Sequence, residues 1–205
     1  MAALVTASYL PADIGAVVAI VPPHIILDVV DAGGGLTLQP VFTLRGAPLA
    51  YVDGVTSVAA IFSGQVTRHE SPKHAPFRFR HSDAQRPIWN SVAKTDPAHI
   101  PVERMQAPLF IAAGGDDAAW PSMLAGEHLA ARLKGRAVTQ PVTFLRFDSA
   151  GHDIWVPQAS TQLSRSLYDP SIDIWFETGG TAAANANAQI KTFAKVVRFF
   201  KRHLK

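Results

Sequence analysis

The sequence predicts an α/β fold: a mostly parallel sheet flanked by helices and interrupted by an irregular insertion. Three observations lead there. Continuous apolar runs rich in β-branched residues occur at 14–21, 108–113 and 142–147, as strands buried on both faces require. Stretches with helical apolar spacing occupy 122–133 and 182–204, so strands and helices alternate at both ends of the chain. The segment 25–102 follows neither pattern and is rich in Gly, Pro, His and Arg.

Met1, Ala2, Ala3, Leu4, Val5 and Ala7 form a short helical stretch that ends at Pro11 and Asp13. No capping residue precedes it, so it reads as the body of a helix whose start lies further upstream. The run Ile-Gly-Ala-Val-Val-Ala-Ile-Val from Ile14 to Val21 is the first strand, stopped by Pro22 and Pro23. The middle segment holds two short strand candidates, 36–44 and 58–62. It is expected to be a lid or insertion over the sheet edge where ligands bind. The second strand, Pro108 to Ala113, runs into Gly114-Gly115, and the third, Val142 to Phe147, runs into Asp148. Between them Pro121 opens a helix whose apolar face is read as Leu124, His128, Leu129 and Leu133. The last helix is expected to present Ile190, Phe193, Val196, Val197, Phe200 and Leu204 as its apolar stripe. A single domain over 1–205 accommodates all of this.

Composition narrows the function. Of the 205 residues, 48% are hydrophobic and 17% charged, which suits a globular chain rather than a disordered one. With no cysteine, disulfides, thiolate metal sites and a cysteine nucleophile within this sequence are ruled out. The formal charge is +3, with cations collected at Lys195, Arg198, Lys201, Arg202 and Lys205. Cations near a helix C-terminus suit the helix dipole and lack the aromatic interleaving of a nucleic-acid surface; a weak attraction for the phosphates of a CoA ester is compatible with them. The longest apolar run, Ile14 to Pro23, is short of the ~20 residues a membrane span needs. No charged region precedes the first apolar residues, so a secretory signal is not expected and the cytoplasm is the expected location.

Two loops carry the chemistry, each directly after a buried-type strand, at the carboxyl edge where open α/β sheets place their sites. The first is Gly114-Gly115-Asp116-Asp117-Ala118-Ala119-Trp120-Pro121-Ser122 and the second Asp148-Ser149-Ala150-Gly151-His152-Asp153. Alone, the first also reads as an acidic helix start and the second as a surface loop. Together they reproduce the order acid, then histidine, that follows the nucleophile in α/β-hydrolases. The imidazole takes a proton from the nucleophile, and the carboxylate fixes the tautomer and stabilises the imidazolium. Asp117 is the preferred acid, Asp116 the alternative, and His152 the base; spacing does not separate the two aspartates.

The stretches IGAVVAIVPPH from Ile14, LRGAPLAYV from Leu44, IPVERMQAPLFIAAGGDDAAWPS from Ile100, FDSAGHDIWVP from Phe147 and GGTAAANANAQIKTFAKVVRFFKRHL from Gly179 resemble the C-terminal catalytic domain of the acyl-CoA thioesterases and bile acid-CoA:amino acid N-acyltransferases. The resemblance implies a partial α/β-hydrolase fold acting on acyl-CoA or a related acyl ester. A Ser or Cys would attack the thioester and hand the acyl group to water or an amine, with Asp117 as acid and His152 as base. It also implies a preceding β-sandwich domain. The family's nucleophile sits on a sharp strand-to-helix turn of the Gly-x-Ser-x-Gly kind, which this sequence does not contain. The helix that such a turn opens is the one in which this sequence begins. The expectation is a chain that starts a few residues after its nucleophile and is inactive alone; an in-frame Gly-x-Ser/Cys-x-Gly just upstream of Met1 would bear this out, and stop codons there would sink it.

Ser8 lies near the end of the first helix, Ser57, Ser63 and Ser91 sit in the insertion without flanking elbow glycines, and Ser149 shares a loop with His152; none is expected to substitute. His69, His74 and His81 with Glu70 lack the helix pairing of H-E-x-x-H, so no metal and no cofactor is expected. Two other readings remain: a non-catalytic ligand- or partner-binding remnant of the fold, and a different esterase of the dienelactone-hydrolase kind. An unpaired edge of such a sheet invites association between copies.

Overall fold

The computed structural model describes residues 1–27, 40–52, 77–134, 140–155, 166–169 and 174–204. Its centre is a parallel sheet of β1 (Val17–Ile20), β5 (Leu109–Gly114) and β6 (Val142–Phe147), ordered β1-β5-β6. Val17 pairs with Leu109, and Leu109 with Val142, through to Gly114 opposite Phe147. All six residues of β5 are buried, so this strand carries no alternation, as expected of a strand covered on both faces.

Side chains alternate strictly between two cores. Val17, Ala19, Leu109 and Ile111 face one side, where Leu4 and Val5 of α1 (Ala2–Tyr9) and Leu129 of α3 (Ser122–Lys134) cover them. Val18, Ile20, Phe110 and Ala112 face the other, under Phe199 and Ala188 of α4 (Ala182–His203). This is the α/β architecture expected: a parallel sheet flanked by helices, consistent with a partial α/β-hydrolase fold. Among the described residues no strand pairs with the outer edge of β1.

Both long helices bury a face that only partly coincides with the one their apolar pattern suggests. Helix α3 buries Ser122, Ala125 and Gly126, small residues that let it approach the sheet, together with Leu129, while Leu124 and Leu133 are half-buried beside them. The expected stripe of α4 is corrected in part: Val196 and Phe200 do pack against the second core, but Ile190 is 70% exposed, Phe193 49%, Val197 37% and Leu204 53%. The buried face is instead Asn185, Ala188, Gln189, Thr192 and Phe199. Helical periodicity identifies an apolar face, but the tertiary partners decide which face packs, and α4 turns its polar side to the loop after β6.

The middle segment has structure of its own. β2 (Thr43–Leu44) and β3 (Ala47–Pro48) form a hairpin turned at Arg45 and Gly46, both with positive φ. β4 (Phe77–Phe79) precedes α2 (His81–Ser91) and pairs in parallel with β8 (Ile174–Glu177), which pairs antiparallel with β7 (Ser166–Asp169). A second small sheet thus joins the insertion to the region between β6 and α4. Of the two strand candidates there, the first is seen only at Thr43–Leu44 and the second, 58–62, lies outside the described residues. Beneath α2, Trp89 packs with Ile25 and Ala125. Among the described residues no helix is long and apolar enough to cross a membrane.

Candidate active site

The acid loop and the base loop leave adjacent parallel strands at the same edge, and backbone bonds tie them together. The Gly115 amide donates to the Phe147 carbonyl at 2.9 Å, and the Asp116 amide to the Ala150 carbonyl at 3.0 Å. A third segment lies across both. The Thr178 carbonyl accepts from the His152 amide at 2.7 Å and from the Ala118 amide at 3.3 Å, and Gly179 and Gly180 bridge to Asp117 and Ala150. Gly179 has φ +77°, and a Cβ there would lie 1.8 Å from the Asp116 carbonyl oxygen, so only glycine fits.

Within this frame Asp117 is 2% exposed. Its Oδ1 accepts from the amides of Ala119 at 3.0 Å and Trp120 at 3.1 Å, a local turn built by the aspartate itself. Its Oδ2 lies 3.1 Å from Nδ1 of His152. All the acceptor capacity directed inward is therefore used to orient the carboxylate toward one ring nitrogen. With Nδ1 so engaged, Nε2 is the nitrogen left to exchange a proton with a reacting group.

Asp116 is occupied elsewhere. Its Oδ1 accepts from Nη2 of Arg80 at 2.7 Å and its Oδ2 from the Gly180 amide at 2.9 Å. Burial works against the Arg80 charge, but the hydrogen bond and charge of Asp116, with Asp83 and Glu177 nearby, outweigh it and hold the guanidinium pKa above its ordinary value. Asp116 thus pins the insertion to the loops, and Asp117 meets the histidine. Sequence spacing left the two open because adjacent residues of one tight turn diverge only in three dimensions.

Trp120 closes the far side. Its ring stands edge-on to His152, centroids 4.4 Å apart at 81°, and its indole N–H donates to the Val21 carbonyl at 2.8 Å. Val21, at the end of β1, has φ +44°, a strained conformation for a β-branched residue that this bond and the Val21 amide's bond to the Ala112 carbonyl at 2.7 Å hold in place.

The other sequence candidates are not brought to this pair. Ser8 is buried on the core side of α1, and the Ser91 hydroxyl donates to the Ile88 carbonyl at 2.8 Å. Ser149 lies in the turn that begins the base loop, and Ser57 and Ser63 lie outside the described residues. So do His69, Glu70 and His74, while His81 sits on α2 beside Gln85. Among the described residues no group of three or more His, Asp or Glu is arranged to hold a metal. Sequence reasoning missed Arg80, which has no motif around it, and Asn185, hidden in an Ala/Asn tract. A helical period linking Asn185 to Gln189 was the available signal.

The comparisons with known proteins agree with this architecture. The peroxisomal succinyl-coenzyme A thioesterase of Mus musculus is 30% identical over 112 residues, 53% of this chain. The matched stretch spans 25% of that relative's own length. A family model described as BAAT / acyl-CoA thioester hydrolase C terminal matches residues 2–205. The chain therefore belongs to the BAAT / acyl-CoA thioester hydrolase C-terminal family.

Proposed function

We propose that Asp117 and His152 are the acid and base of a Ser/Cys-Asp-His triad that cleaves or transfers acyl groups of acyl-CoA thioesters, with a nucleophile that is not among this chain's residues. The observation that carries the reading is the 3.1 Å contact from Asp117 Oδ2 to His152 Nδ1 at the carboxyl edge of the sheet. In the mechanism, His152 Nε2 takes the proton of the incoming Ser or Cys as the acyl–enzyme forms and returns it to the departing CoA thiolate. Asp117 holds the ring in the tautomer that makes Nε2 the acceptor and offsets the imidazolium charge. Water or an amine then repeats the cycle on the acyl–enzyme. The mouse relative's name makes succinyl-CoA the first substrate to try.

Free CoA release from succinyl-, octanoyl- and palmitoyl-CoA tests this. The chain alone is expected to be inert. In a protein that carries this chain together with a Ser or Cys nucleophile, turnover is expected, and His152→Ala should remove it. Turnover that survives His152→Ala would overturn the reading; hydrolysis of simple esters but not of CoA esters would favour the other-esterase alternative. Cytoplasmic residence belongs to the same reading, and enrichment with peroxisomes on fractionation would overturn that part.

A further inference from the structure

Helix α4 turns inward a face that hydrophobicity alone would leave in water. Asn185 is fully buried and Gln189 is 4% exposed, while Ile190, one position further, is 70% exposed. Burying a side-chain amide is unfavourable unless it is hydrogen-bonded, and both are bonded to the same short loop. Asn185 Oδ1 accepts from the Gly151 amide at 2.7 Å, and its Nδ2 donates to the Gly179 carbonyl at 3.2 Å. Gln189 Nε2 donates to the Asp153 carbonyl at 2.8 Å. These contacts bracket His152: one on the residue before it, one on the residue after. The His152 amide itself is held by the Thr178 carbonyl. Asn185 also reaches the acid loop indirectly, because Gly179 bridges to Asp117.

We infer that Asn185 and Gln189 are positioning residues that hold the base loop so that His152 Nδ1 meets Asp117 Oδ2. The inference rests on the reading of that pair as acid and base. It accounts for why the amide side chains of Asn185 and Gln189 are turned inward while Ile190 is left outside. Positioning of this kind matters because displacement of a catalytic group by about 1 Å is enough to cost a large part of its effect. Neither residue touches the reacting atoms; each acts through the backbone on either side of the base.

Amide hydrogen exchange and the ¹H–¹⁵N spectrum of the histidine rings test this on the chain as it stands, without turnover. In Asn185→Leu, the Gly151 and His152 amides are expected to exchange at least about tenfold faster relative to the β5 amides, as the loss of one buried hydrogen bond implies. The Nδ1-bound proton signal of His152 should be lost with them. Asn185→Asp keeps the acceptor for Gly151 but sets its second oxygen against the Gly179 carbonyl, so it is expected to restore Gly151 protection only in part. Gln189→Met, which keeps length and packing, is expected to weaken the His152 signal while leaving β5 protected; it keeps the test open if Asn185→Leu does not fold. A His152 signal and exchange ratio unchanged in these variants would overturn the inference, as would loosening spread evenly over the sheet. Failure of the underlying pair looks different: a wild-type Nδ1 signal that Asp117→Asn leaves untouched removes the pair, and the positioning role with it.

Discussion

The Nδ1 nitrogen of His152 lies 3.1 Å from Oδ2 of Asp117, across 35 residues of sequence, and the neighbouring Asp116 makes no such contact because Arg80 and Gly180 occupy its oxygens. Two adjacent carboxylates therefore divide the work: one orients the imidazole, the other fastens the insertion to the loops.

That division predicts opposite behaviour for the two isosteric amides. Asp117→Asn should lower kcat of the nucleophile-bearing protein by about 10⁴, as presenting the wrong tautomer does in related triads, with a small change in thermal midpoint. Asp116→Asn should lower the thermal midpoint and leave kcat within a few-fold. Steady-state CoA release and calorimetry on both variants decide it; equal loss of kcat in the two would mean that Asp116 also serves the base.

Arg80 is the other half of the Asp116 contact. Its side chain is 19% exposed and it faces Asp83, Asp116 and Glu177. Arg80→Met leaves those carboxylates without their cation, and a loss of about 1–3 kcal/mol is expected. For a chain of this size that corresponds to a midpoint lower by roughly 2–10 °C. Arg80→Lys should recover only part of it, since lysine lacks the forked donor set. A melting curve unchanged in Arg80→Met would show that the contact adds nothing net.

Stability should fall in acid. Burial, then the positive fields of His128, His99 and Arg132, push the His24 pKa down to about 3, and burial pushes His81 down to about 4. The unfolded chain takes up these protons near the ordinary histidine value of about 6.5, while the folded chain resists until far lower pH. The folded state is thus favoured fully above that value and loses ground steadily as pH falls toward 4. The slope expected is about 1.4 kcal/mol per pH unit for each histidine. Urea unfolding between pH 7 and pH 4 measures it. His24→Phe, which keeps a ring against Trp89, should flatten the slope whatever it does to the level; an unchanged slope would remove His24 as a cause.

The part of the apolar stripe left outside on α4 predicts tolerance. Ile190→Lys and Phe193→Lys, at 70% and 49% exposed, should shift the stability of the monomer by no more than about 0.5 kcal/mol. If copies associate along the outer edge of β1, Leu204→Lys should weaken the dimer, because Leu204 reaches Gly15 beside the strand. Light scattering across a concentration series reads this directly, and a chain that stays monomeric at high concentration would dispose of the association.

Sequence by itself determined the fold class and singled out the two loops that the structure brings together. The run 108–113 was legible because a central parallel strand is buried on both faces; 14–21 and 142–147 were legible as apolar runs, but they form the outer strands of the described sheet, and β6 keeps Thr143 and Arg146 and has no fully buried residue, contrary to the expectation of burial on both faces. The two loops were legible because glycines and acids directly follow those runs. The second sheet was not legible: β4 and β8 are short and far apart in sequence, so neither has a pattern of its own. Spacing alone did not separate Asp116 from Asp117, although Asp117 was preferred; the contact with His152 depends on Arg80 and Gly180 occupying the oxygens of Asp116. Tertiary structure alone decided which face of α4 packs. A periodic stripe records only that a helix has two sides; Asn185 and Gln189 go inside because the base loop, and not the apolar core, offers the hydrogen bonds that their amides must have once water is excluded.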